Sequence, residues 1–202
     1  MTEINDEHLL LEIPDERYET SFLGGAAEFA REDRLDSTYA RALGYDLAAL
    51  RLDFRTYVWD LKRLGEKSAH GYVDIMHWLI DREEYVGQAS VRPDLVTPYL
   101  ITYGGHIGYS IRPTRRRSGY GKHILRLALE KSRRLGLDRV LVTCDADNLA
   151  SKRIIESNGG EFETAMRMDT HILRVEGREG ETDLDKLRYW IDLSDLPQRH
   201  VL

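Results

Sequence analysis

The run Arg116-Arg117-Ser118-Gly119-Tyr120-Gly121 is where residue type and spacing first imply chemistry. Glycines at 119 and 121 let a backbone turn tightly and approach a ligand with no Cβ in the way. A helix starting there would offer unpaired N–H groups and the positive end of its dipole, which together bind anions. Arg115, Arg116, Arg117 and Lys122 would surround that site with mobile cations. The combination suits a pyrophosphate. A dinucleotide fingerprint G-x-G-x-x-G would want a small residue where Ile124 stands, and a P-loop G-x-x-x-x-G-K-S/T is absent. A G-x-G turn beside a basic helix has little specificity alone, so the flanking elements must decide.

Those elements follow from hydrophobic period. Residues 8–13 form an apolar run that reads as a first strand. Pro14-Asp15 then opens a helical pattern with Tyr18, Phe22, Ala26, Phe29 and Ala30 on one face. Gly24-Gly25 weaken that helix by roughly 1 kcal/mol each relative to Ala. A second helix follows Asp46 as N-cap, with Leu47, Leu50, Phe54, Tyr57, Val58, Leu61 and Leu64 at helical spacing. Strands are predicted over 73–80 and 85–91, joined by the hairpin loop Asp81-Arg82-Glu83-Glu84. Gly104-Gly105 introduce a third strand over 106–111, which Pro113 ends because it cannot donate to a ladder. A helix over 119–135 with Gly136 as C-cap, a strand over 139–144 and a helix over 148–157 come next. Strands over 162–168 and 187–193 complete an α/β (α+β) order, a mixed sheet with the Gly-rich turn at its centre.

Composition narrows the function classes. A chain of 202 residues fits one ordinary domain, and no internal repeat or linker divides it. Its apolar runs are too short to span a bilayer, and the acidic start lacks a signal peptide's basic and apolar regions. Cys144 is the only cysteine, so an intrachain disulfide is impossible. No His pair has metal-ligand spacing, and no metal is expected. A cytoplasmic protein, not bound to membrane, is the expectation. The net charge of −6 disfavours a general nucleic-acid binder. Yet residues 112–139 hold ten Lys or Arg against Glu130 and Asp138, a basic island that suggests one dedicated anionic ligand.

Taken jointly, these segments resemble the GNAT acetyltransferase superfamily, whose acyl-CoA signature is Arg/Gln-x-x-Gly-x-Gly/Ala at a strand-to-helix turn. Arg116, Gly119 and Gly121 match it position for position. Ile111-Arg112-Pro113 resembles the end of the family's preceding strand, which pairs through its backbone with the pantetheine arm. Asn148, Ala150-Ser151 and Glu156-Ser157-Asn158-Gly159-Gly160 resemble its second motif, an Asn opening a helix that ends in Gly. More narrowly, residues 104–113, Thr143-Cys144-Asp145 and Arg188-Tyr189-Trp190-Ile191 look like a branch of predicted bacterial acetyltransferases. The resemblance implies one domain over residues 1–202 with its acyl-CoA core at about 105–160, a mostly antiparallel sheet splayed at its central parallel strands, and acetyl-CoA as co-substrate. It implies that Ile111, Arg112, Pro113, Arg116, Arg117, Ser118, Gly119, Tyr120, Gly121, Lys122, Asn148 and Ser151 bind that co-substrate. The reaction implied is direct attack by a primary amine, on a small molecule or a peptide, through a tetrahedral intermediate. A catalytically silent acyl-CoA sensor is the alternative.

Such a reaction needs a neutral amine, and an alkylammonium has a pKa of about 10.4, so deprotonation at neutral pH costs roughly 4 to 5 kcal/mol. The oxyanion needs a donor worth about 3 to 4 kcal/mol, and the family's usual source is a backbone N–H on the splayed strand, here near Ile111. Two positions depart from the family. Ile155 stands where many members carry a Tyr that protonates the thiolate, and Gly105 stands where many carry a Glu. His106, beside the vacant acid position and with a suitable intrinsic pKa, is the expected relay partner. Tyr109 and Tyr120 are candidate acids, and Ser151 is expected either to bond pantetheine or to cap its helix. A homodimer pairing through the strand at 187–193 is left open.

Overall fold

The computed structural model describes residues 8–67, 71–175 and 185–194. Along them run β1 (Leu9–Glu12), α1 (Glu19–Arg31), α2 (Leu47–Leu52), α3 (Phe54–Lys67), β2 (Ile75–Asp81), β3 (Glu84–Val91) and β4 (Ile107–Ile111). Then follow α4 (Tyr120–Arg134), β5 (Arg139–Asp145), α5 (Leu149–Glu156), β6 (Glu161–Met166), α6 (Thr170–Val175) and β7 (Lys186–Asp192). The strands form two antiparallel sheets, β1-β2-β3-β4 and β5-β7-β6. Helix α4 is the crossover from β4 to β5, the connection that a parallel pair requires. The expected mixed architecture is present, and the splay falls between these two strands.

Alternation on the strands sets the layers. Leu79, Val86, Ala89, Val91 and Ile107 bury one face against Ile124, Leu125, Ala128 and Leu129 of α4, in a core that continues across the splay into Val140, Val142, Tyr189 and Ile191. The opposite face of the first sheet packs Met76, Trp78 and Ile80 against α1 and α3, with Phe22 stacked on Trp78 at a ring separation of 4.5 Å. The Gly24-Gly25 pair has its reason here. A Cβ on Gly25 would come within 3.0 Å of the Tyr85 ring and 3.3 Å of Arg112 Cδ, so the helix gives up propensity to pack closely.

Two expectations need correction, and one connection holds a turn that the sequence did not announce. The single helix read from Asp46 to Leu64 is broken at Asp53, whose φ of −143° is non-helical and whose carboxylate accepts the Thr56 N–H to cap a new helix. Apolar spacing runs through the break, so period alone hides it. The 92–105 connection is not plain loop: Leu100–Gly104 makes a wide i→i+5 turn closed by Gly105 N–H on Leu100 O at 2.8 Å. Strand β7 lies between β5 and β6, with both edges filled, so it has no edge to pair across a dimer.

Candidate active site

Strands β4 and β5 part at His106. The antiparallel ladder between β3 and β4 includes Arg92 N–H on His106 O and Arg112 N–H on Val86 O, so even-numbered β4 residues bond toward β3. His106 divides its backbone: its C=O stays with β3 while its N–H donates to Leu141 O of β5 at 2.8 Å. Its ring then completes a two-bond clasp, Nδ1 accepting the Leu141 N–H at 2.9 Å. Gly105 beside it has φ +69°, and a Cβ there would lie 2.5 Å from Leu141 O. An acidic side chain at 105 is therefore incompatible with the clasp. Beyond it, Ile107, Tyr109 and Ile111 turn their N–H and C=O groups away from β3 and into the opening.

At the far end of that opening lies the Gly-rich turn. Arg117 and Gly119 adopt left-handed backbone, at φ +63° and +94°, and α4 begins at Tyr120. The first-turn N–H groups of a helix have no intrahelical acceptor, so they stand ready for an anion. Gly121 serves a further purpose: a Cβ there would meet Ile154 Cδ1 at 2.4 Å, so it lets α4 and α5 pack closely. Asn158 Nδ2 donates to Lys122 O at 3.3 Å, drawing the end of the Asn148 helix to the start of α4.

Several expected cations are committed elsewhere. Arg112 reaches Glu28 at 2.7 Å and Glu84 at 3.1 Å, its own N–H spent on the sheet. Arg115 also pairs with Glu84. Arg116 bridges Ile111 O at 3.2 Å and Glu32 at 2.8 Å, so it ties the strand end to α1. Arg112, Arg115 and Arg116 hold the turn in place and are not mobile charges around it. Arg117, Ser118 and Lys122 are exposed. Pro113 starts a short helical turn that leads out of β4. Tyr120 turns its hydroxyl to Asp81 at 2.7 Å, and burial with that carboxylate pushes the phenol up to about 12.

A cavity of about 430 Å³ opens at the splay, and its walls include Gly108, Tyr109, Cys144, Asn148 and Ser151. Asn148 caps α5 by accepting the Ser151 N–H at 3.0 Å, which frees the serine hydroxyl to meet Tyr109 Oη at 2.8 Å. That hydrogen bond spans the opening from β4 to α5. Burial holds the Tyr109 phenol well above its usual range and pushes the Cys144 thiol up to about 11. Ile155 is fully buried in the core and offers no proton. On the other wall sits a polar group that sequence reasoning missed, Asp74, Tyr39 and Arg92, drawn from three places in the chain, with Ser90 bonded to Tyr39 and Arg92 behind it. Among the described residues no cluster of His, Cys, Asp and Glu could hold a metal ion, and no helix is long and apolar enough to cross a membrane.

The family model described as the acetyltransferase (GNAT) domain matches residues 25–161, more than half of the chain and all of the geometry above. The chain belongs to the GNAT acetyltransferase family. It is an acetyltransferase by that membership. Solved GNAT structures share the fold. RimL, a ribosomal-protein alpha-N-acetyltransferase in complex with coenzyme A, is 19% identical with TM-score 0.61, over 93% of this chain and 95% of its own. The microcin self-immunity acetyltransferase MccE, in complex with acetyl-CoA and AMP, is 13% identical with TM-score 0.62, over 93% of each chain. A chimeric spermidine N-acetyltransferase SpeG, from Vibrio cholerae in part, is 13% identical with TM-score 0.57, over 94% of this chain and 98% of its own. No curated protein matches at the sequence level.

Within this GNAT frame, Asn148 and Ser151 line the cavity, and Gly121 packs against α5, the helix that Asn148 caps; Ile111 and Gly119 are not among the cavity's walls. Arg112, Arg116 and Tyr120 turn their polar groups to the protein. His106 is at the apex of the splay, nine-tenths buried, with its Nδ1 lone pair already used. In the neutral ring the other nitrogen then carries the proton and cannot accept one. Burial lowers this imidazole to about 4, with the Arg92 charge adding to the effect.

Proposed function

We propose that the chain moves the acetyl group of acetyl-CoA onto a primary amine by direct attack, with the donor lying in the splay between β4 and β5. The pyrophosphate sits on the N–H groups of residues 117–121, helped by Arg117 and Lys122. The pantetheine arm pairs with the Ile111 backbone. Tyr109, two residues deeper and lining the cavity, offers its N–H to the thioester oxygen, so it replaces Ile111 as our choice of oxyanion donor. The amine nitrogen forms the new bond to the carbonyl carbon, the tetrahedral intermediate collapses, and the C–S bond breaks. Ser151, hydrogen-bonded to Tyr109 and close to Cys144, protonates the departing thiolate; Tyr109 resupplies that proton and regains it from the attacking nitrogen through solvent, so both hydroxyls end protonated. A thiol pKa of about 8.5 means that this help is modest. His106 acts as the pin of the splay and takes no proton.

The observation that carries this reading is the Tyr109–Ser151 hydrogen bond at 2.8 Å, a proton-bearing pair across the opening where the departing sulfur would lie. It also favours an enzyme over a silent acyl-CoA sensor, because a sensor has no use for a donor there. The test is CoA release across a panel of amines by wild type and Ser151→Ala. The expected result is turnover by wild type that rises with pH as free amine accumulates, and a kcat about 10- to 100-fold lower in the variant, with acetyl-CoA affinity kept. Binding of acetyl-CoA with no release for any amine would establish the sensor instead.

A further inference from the structure

One residue grips the apex of the splay from the side opposite Leu141. Arg92, which follows β3, donates its backbone N–H to His106 O at 2.8 Å and its Nη1 to Gly105 O at 3.1 Å. It thus holds two successive carbonyls at the point where β4 and β5 part. The Gly105 N–H is taken by Leu100 O at 2.8 Å, so both polar groups of that buried residue are fixed. The same guanidinium lies against β4 further along, where a Cβ on Gly108 would come within 3.6 Å of Nη2. The next residue is Tyr109, whose N–H is the proposed oxyanion donor.

A neutral donor would satisfy the Gly105 carbonyl, yet the fold puts a buried charge there. Arg92 and Asp74 form an ion pair at 3.2 Å with side chains only 10% and 4% exposed. Such a pair need not stabilise a fold more than apolar groups of the same volume would. Asp74 Oδ1 and Arg92 Nε are buried with no hydrogen-bond partner among the described residues. Tyr39, whose hydroxyl accepts from Arg92 Nη2 and donates to Asp74 Oδ2 at 2.9 Å each, sits at φ +63°, left-handed backbone that costs about 1 to 3 kcal/mol. Ser90 Oγ accepts from Nη2 at 3.0 Å. These contacts supply orientation. Asp74, Tyr39 and Ser90 all engage Nη2, and a planar fork held at that end has one direction left for Nη1, toward Gly105 O.

We propose that Arg92 is the positioning residue of the oxyanion site: it fixes Gly105, His106 and Gly108, and through them the direction in which the Tyr109 N–H enters the cavity. Asp74, Tyr39 and Ser90 brace it. Arg92 acts through the backbone of β4 and not by contact with the acetyl group. This inference rests on the acyltransferase reading and assigns to that same site the group that sets its geometry.

The experiment compares wild type, Arg92→Lys, which keeps the charge and loses the fork, and the double variant Arg92→Gln with Asp74→Asn, which leaves no unpaired buried charge. All measurements are made well below each protein's Tm. Each protein is titrated with acetyl-CoA, assayed for CoA release with n-hexylamine and spermidine, and examined by isotope-edited infrared spectroscopy with carbonyl-labelled acetyl-CoA bound. In wild type the bound carbonyl stretch should lie below that of free acetyl-CoA, the signature of a donor on its oxygen. In both variants it should return toward the free value and kcat should fall at least about tenfold, while acetyl-CoA affinity is kept. The carbonyl stretch decides the matter whichever amine is accepted, and Arg92→Lys decides if the double variant fails to fold. A folded variant with the wild-type stretch overturns the proposal. So does affinity that falls in step with kcat, which would make Arg92 a general support of the fold. Wild type that binds no acetyl-CoA would instead sink the acyltransferase reading itself.

Discussion

At the scale of single residues, His106 decides how the site should respond to pH. Its folded pKa of about 4 lies below the ordinary value near 6.5, so the unfolded chain binds more protons between those limits. Its effect is therefore absent above about pH 6.5, and stability is lost as pH falls from there toward 4. Buried His77, also lowered to about 4 by desolvation and by Lys131, adds to the same acid limb. His106→Asn keeps an oxygen near the Nδ1 position to accept the Leu141 N–H; His106→Leu does not. Denaturant melts against pH should show a shallower acid limb for both variants, and weaker acetyl-CoA binding for the Leu variant alone. The rate profile should show no limb near pH 6.5 that belongs to this ring. A wild-type limb there that vanishes in His106→Asn would restore the histidine as a base. Adjacency to the vacant position at Gly105 made it legible as important in the sequence. Its role was not legible, because the Leu141 N–H that claims its lone pair lies 35 residues away.

Elements set where the Gly-rich turn can sit. The turn is fastened to α1 by a line of ion pairs, Arg112 with Glu28 and Arg116 with Glu32, while Thr114 also donates its N–H to Glu28 at 3.1 Å. Arg112→Ala removes the partner of a largely buried carboxylate and should cost about 3 kcal/mol, read as a lowered Tm, with acetyl-CoA affinity nearly unchanged in the folded fraction. A large loss of affinity at constant Tm would place Arg112 on the ligand after all. The basic island was visible in composition. Composition could not say which cations face inward, since the acids that claim them sit on α1 and the β2–β3 hairpin, 28 to 84 positions upstream. The strands, α4 and α5 were legible because their period is clean and their caps are Asn148, Gly119 and Gly136. The break at Asp53 and the wide turn at Leu100–Gly104 were not, because both depend on local hydrogen bonds that apolar spacing ignores.

For the whole molecule, the two sheets share one core yet part along β4 and β5, the gap in which the acyl donor is proposed to lie. The half proposed to meet acetyl-CoA was legible because it is contiguous, from Ile111 to Lys122 with Asn148 and Ser151 close behind. The polar cluster of Tyr39, Asp74 and Arg92 was not, because its residues lie far apart in the chain and carry no shared spacing. The central claim is that a pyrophosphate sits on the backbone of the turn before α4. Gly119, at φ +94°, is the residue that a side chain would both strain and fill. Isothermal titration of acetyl-CoA into folded wild type and Gly119→Val tests it most directly. The expected affinity is at least about 100-fold weaker in the variant, a loss of roughly 3 kcal/mol. Equal affinities in the two proteins, with the variant folded, would contradict it and put the donor somewhere other than the splay.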